Sequence, residues 1–167
     1  MTQRDQQGRV RRYDFGTFTV PGPLKRSLAV LFAAQCAPGG GWDSVWTSEA
    51  SWYVVRPFAE FLSELDQVPQ DMDRLSTAHW NAWRLSLPPT TTGYTKYSIV
   101  AGLLQQDGRL AQPVREAMAQ RFAWTPGREL AYTYEEPLAA ALAELPHRSP
   151  PSSGSRRVRT PSSSPSS

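Results

Sequence analysis

The sequence predicts an all-α protein: a bundle of four or five helices with a short N-terminal extended segment and a disordered tail. Three observations predict it. Apolar residues recur at helical intervals in successive stretches between residues 24 and 123. Each stretch is bounded by Ser or Thr at its start or by Pro and Gly at its end. Only one short run, Tyr13 to Val20, alternates as a strand would.

Residues 1–12 are polar, carry Arg4, Arg9, Arg11 and Arg12, and read as a flexible arm. The run Asp14 to Val20 alternates aromatic or aliphatic with polar residues and is closed by Pro21-Gly22-Pro23. A lone strand is unstable, so it is expected as a β-bridge or an extended segment lying on the helices. Leu24, Leu28, Leu31 and Phe32 define a first helix over 24–36, stopped by Pro38 and Gly39-Gly40-Gly41. Lys25-Arg26 ahead of an apolar run also fits a secretory signal. The 24 residues before it, with their acids and aromatics, favour the core helix.

A helix over 48–66 is predicted to open at Thr47 or Ser48 and to bury Trp52, Val55, Phe58, Ala59, Leu62 and Leu65, with a kink ahead of Pro57. Ser76 caps a short helix over 76–86 that carries Trp80 and Trp83 as core. Thr90, Thr91 and Thr92 introduce one over 91–106 with Tyr97, Val100 and Leu104 inward. Pro113 fits the first turn of one over 112–123. The predicted organisation is an arm over 1–12, a helical domain over 13–128, a linker remnant over 129–145, and a tail over 146–167. That tail holds nine Ser and five Pro and cannot offset its ordering entropy by burial.

Charge excludes less than the pI of about 9.3 implies. The tail carries four Arg and no acid, while residues 1–145 hold 14 Lys and Arg against 15 Asp and Glu. Within that body, residues 43–73 hold seven acids and one base, and residues 74–128 hold seven bases and two acids. One face of such a body can be positive. No apolar run approaches the roughly 18 residues of a membrane span.

Chemistry-bearing clusters are few. Cys36 and two His make no zinc set, and Cys36 reads as a buried, inert thiol. Gly39-Gly40-Gly41 leads into Trp42-Asp43, not the Gly-Lys-Ser of a phosphate loop, and reads as a linker. Asp71 and Asp73 read as a solvated loop, and His79 as an exposed surface residue. No nucleophile, base and orienting group fall together, so no metal, cofactor or complete enzyme is expected. What remains are two hydroxyl-rich helix starts: Thr47, Ser48 and Ser51 on one, and Thr91, Thr92, Thr95 and Lys96 on the other. Hydroxyls at the positive end of a helix dipole suit phosphate, though Ser and Thr also gather there as caps, and composition alone favours caps.

The order of elements adds to this. A first helix is followed by one opening Thr47-Ser48-Glu49-Ala50-Ser51-Trp52, and then by Leu75-Ser76-Thr77-Ala78 and Trp80-Asn81-Ala82-Trp83-Arg84-Leu85-Ser86-Leu87. A Thr-rich start to Tyr97-Ser98-Ile99-Val100-Ala101-Gly102-Leu103-Leu104 and then Pro113-Val114-Arg115-Glu116-Ala117-Met118 complete it. This succession, over residues 24–124, resembles the N-terminal core-binding domain of tyrosine recombinases, the phage-integrase family, and especially actinobacterial integrase-like proteins.

The resemblance implies a SAM-like helical bundle whose second and fourth helices lie against double-stranded DNA. Thr47, Ser48, Ser51, Thr91, Thr92, Thr95 and Lys96 would then be contacts, with Arg115 a further candidate. Ala101-Gly102 stands where family members often carry Arg, which implies weak binding. The resemblance ceases at Pro137, ahead of the family's catalytic residues. It therefore implies a cytoplasmic, non-catalytic DNA-binding module truncated before the catalytic domain. A helical protein-interaction module that binds no DNA is the alternative.

Overall fold

The computed structural model describes residues 1–122. Among the described residues, five α-helices carry the fold: α1 (Gly22–Cys36), α2 (Val45–Ser63), α3 (Thr77–Ser86), α4 (Thr91–Leu104) and α5 (Gln112–Ala119). The all-α prediction holds, with boundaries shifted by a few residues at most. α2 packs on α3 and α4, α1 on α4, and α3 on α5. The expected linker over 129–145 and the tail over 146–167 lie outside the described residues.

The largest departure is at the N-terminus. Residues 1–12, expected as a flexible arm, form an antiparallel hairpin of β1 (Thr2–Arg4) and β2 (Val10–Arg12). Met1 and Tyr13 extend it by exchanging hydrogen bonds between their backbone groups, at 2.9 and 2.8 Å. Asp5 closes the turn by accepting from the N–H groups of Gln7 and Arg9, and Gly8 supplies the positive φ of 78°. The signal is invisible to periodicity because the strands are three residues long and their one inward side chain is polar. That side chain is Gln3, 4% exposed.

The run from Tyr13 to Val20 lies on the helices as expected but is not a strand. Asp14 caps a 3₁₀ turn over Phe15–Thr17, so Phe15 and Phe18 both reach the core. They join Tyr13 and Phe32 around Trp52, with ring centroids 5.0–5.6 Å apart, mostly edge-on or tilted. A second aromatic cluster links Phe58, Trp83, Trp80, Tyr97 and Phe122. Trp80 and Trp83 are therefore core, as their spacing predicts.

Helix ends follow local chemistry. Pro23 lies in the first turn of α1, where its missing donor costs nothing. Gly39-Gly40-Gly41 is more than a linker: Gly39 takes φ 82°, and a Cβ on Gly40 would stand 2.1 Å from the Gln35 carbonyl oxygen. α2 opens at Ser44 rather than at Thr47 or Ser48, because the Ser44 hydroxyl accepts from the Thr47 N–H at 3.1 Å. The helix continues through Pro57, which lies with Tyr53 on the exposed face. Solvent there can satisfy the carbonyl that proline leaves without a donor.

Candidate nucleic-acid interface

The two hydroxyl-rich helix starts meet different fates. At α2 the hydroxyls are spent on the fold. Thr47 Oγ1 lies 2.8 Å from Ser44 Oγ, inside the cap. Ser48 is fully buried, and Ser51 is 2% exposed. Ser48 is the middle of a polar relay: the Tyr13 hydroxyl meets its Oγ at 2.6 Å, and that Oγ donates to Gln3 Oε1. Gln3 Nε2 in turn donates to the carbonyls of Trp42 (2.9 Å), Asp43 (3.2 Å) and Cys36 (3.5 Å). Ser48 and Ser51 are thus removed from any DNA-facing surface. Sequence spacing alone cannot reveal this, because the group that buries Ser48 arrives from the hairpin.

At α4 the hydroxyls stay outside. Thr90 is the cap, accepting from the Gly93 N–H at 3.1 Å. Thr91, Thr92 and Thr95 are exposed, and Lys96 is partly so. Thr95 donates back to the Thr91 carbonyl at 2.9 Å, which leaves its oxygen as an acceptor only. The side chains of Thr91, Thr92 and Lys96 make no hydrogen bond or ion pair with the described residues.

Two contacts fix the direction of α4. Gly93 packs so closely that a Cβ there would stand 1.9 Å from the Pro88 carbonyl oxygen. The Tyr97 hydroxyl donates to the Met118 carbonyl at 2.6 Å, with the Gln120 carbonyl at 3.1 Å. Burial raises the Tyr97 pKa, and the Trp80 indole and the Arg84 charge oppose that shift. The indole N–H acts on the phenol without reaching hydrogen-bond geometry, and it is the one buried side-chain donor left unpaired among the described residues.

These contacts bring in two cations that spacing did not single out. Arg84 lies close enough to act on Tyr97. Arg121 follows Gln120 and precedes Phe122, whose ring sits 5.1 Å from Tyr97.

Arg115 is engaged by the fold. Its guanidinium donates to the carbonyls of Leu110 (3.2 Å), Gln105 (2.7 Å) and Asp107. It closes the loop after α4 and has few donors left for phosphate.

Two further expectations change. Asp71 is not a solvated loop residue: it caps a 3₁₀ turn over Met72–Arg74, accepts from Ser27 Oγ at 2.7 Å and pairs with Arg109 at 3.0 Å. Arg109 also pairs with Asp107 at 2.9 Å, and the set borders an open depression of about 240 Å³ beside α1. Contact with Ser27 and Met72 lowers the Asp71 pKa, and the Arg109 guanidinium lowers that of Asp107.

His79 is partly buried. Its Nδ1 accepts from the Ser76 N–H at 3.0 Å while Nε2 meets the Gln67 carbonyl at 2.7 Å, which assigns the proton to Nε2. Cys36 is buried, as its sequence position predicts, and burial pushes its thiol up to about 11.

No group of His, Cys, Asp and Glu among the described residues could hold a metal ion, and no described helix is long and apolar enough to cross a membrane. Compared with protein-family models, curated proteins and solved structures, the chain matches none of them.

Proposed function

We propose that the chain is a DNA-binding module of an integrase-like protein, which grips duplex DNA through the start of α4. One observation carries the reading. Thr91, Thr92 and Lys96 are exposed or partly exposed, unspent on internal contacts, and set at the positive end of a helix whose direction is rigidly fixed. Phosphate contacts of this kind position a protein on DNA without reading its sequence. The resemblance to the core-binding domain of tyrosine recombinases points the same way. Of the two helices it implicates, α2 keeps only Thr47 of its hydroxyl set near the surface.

The test is salt dependence. Each phosphate neutralised contributes about −0.9 to the slope of log affinity against log salt. Lys96→Ala should flatten that slope by about one unit for a labelled duplex, with the circular dichroism unchanged. Binding as tight as the parent's at every salt concentration would show that the threonines serve only as caps and structure.

A second reading, a helical protein-interaction module, has its own observation. Trp46 is 78% exposed and Tyr53 61%, and with Ala50 and Pro57 they form an apolar stripe along the outer face of α2. That reading predicts no salt-sensitive duplex binding by the parent chain, and loss of partner capture in Trp46→Ser.

A further inference from the structure

The hairpin register sets Thr2 opposite Arg12, Gln3 opposite Arg11, and Arg4 opposite Val10. Side chains alternate across a strand, so Thr2, Arg4, Val10 and Arg12 share one face, and Gln3 and Arg11 the other. The second face lies on the bundle: Gln3 is buried, and Arg11 pairs with Glu49 of α2 at 2.8 Å. The first face is turned to solvent, and all four of its residues are exposed. Arg4, Arg12 and Arg9 of the turn form no ion pair among the described residues. The hairpin's own acid, Asp5, is occupied with the backbone N–H groups of Gln7, Arg9 and Val45.

We propose that this outward face, with the exposed Arg9 of the turn at its tip, is a second duplex-binding surface, a basic β-ribbon that lays Arg4 and Arg12 against the phosphates bordering a DNA groove. The major groove is wide enough for a two-stranded ribbon. What distinguishes the array from a solvated charge run is how it is held. The buried Gln3 amide, the Tyr13–Ser48 contact, the Met1–Tyr13 exchange and the Arg11–Glu49 pair fix the ribbon to α2 and to the turn after α1. A preorganised array loses less freedom on binding than a mobile arm of the same charge. The proposal takes its ligand class from the reading above but none of its residues, so the two can fail separately.

The experiment uses the full chain, a labelled duplex and anisotropy titrations over a range of salt. Arg4→Gln/Arg9→Gln/Arg12→Gln should flatten the salt slope by about two to three units, and Arg56→Gln, which alters a paired surface Arg on α2, should not. Gln3→Ala keeps every charge but loosens the ribbon, and should weaken binding with the slope nearly unchanged. If the triple variant matches the parent at every salt while Lys96→Ala weakens, the ribbon is overturned and the α4 reading stands. The reverse pattern leaves the ribbon as the DNA surface and removes α4. A triple variant that loses binding only to anionic lipid vesicles assigns the face to membranes and overturns the proposal.

Discussion

Gln3 shows how one polar side chain can organise a chain terminus. Its amide nitrogen serves three carbonyls around the turn after α1, and its oxygen takes the Ser48 hydroxyl. A buried amide must be satisfied in this way or it destabilises the fold. Trp83 illustrates the apolar counterpart. It is 4% exposed and stands edge-on to Phe58 at 5.0 Å. Trp83→Ala should cost about 3–5 kcal/mol in urea denaturation. At Asp71 and Asp107 the carboxyl pKa values are lowered, so their stabilisation is complete above the ordinary carboxylate range and lost as pH falls through the folded values. Melting temperature should therefore fall with pH below about pH 4. Arg109→Gln should make that fall shallower, because it removes a shared partner of both carboxylates.

At the scale of elements, the helices were legible and the connections less so. Tyr97, Val100 and Leu104 repeat at a helical interval because that face is buried, and burial is what periodicity records. The α2 start was misplaced because Ser44, Thr47 and Ser48 are equally good caps by type, and only the hairpin decides which of them is buried. Arg84 escaped for a related reason, since nothing local marks a cation that tertiary packing brings to another helix. Glycines test the connections. Ala usually improves a helix over Gly, yet Gly93→Ala meets the Pro88 carbonyl at 1.9 Å. We expect a loss of about 1–3 kcal/mol, read as a lower urea midpoint. Thr90→Ala at the same helix start should cost about 1 kcal/mol by removing the cap.

Across the molecule, polar and apolar devices divide the labour. Two aromatic clusters fill the bundle, one around Trp52 and one around Trp80 and Trp83. Two polar assemblies join elements distant in sequence: Gln3–Tyr13–Ser48 fastens the N-terminus, and Ser27–Asp71–Asp107–Arg109 fastens the loop after α4 to α1. The first kind of device is legible in the sequence and the second is not, because hydrogen-bond partners 35 to 82 residues apart leave no periodic trace.

The lone cysteine turns the N-terminal fastening into a clock. Cys36 ends α1 with its carbonyl toward Gln3 and its thiol acted on by Ser48 of the Tyr13–Ser48 contact, and burial pushes that thiol so far up that a disulfide reagent meets almost no nucleophile at neutral pH while the ribbon is seated. The rate of thiol labelling under native conditions then counts how often the first dozen residues lift away, without any added probe. Gln3→Ala should quicken that clock well before it lowers the melting temperature, and bound duplex should slow it.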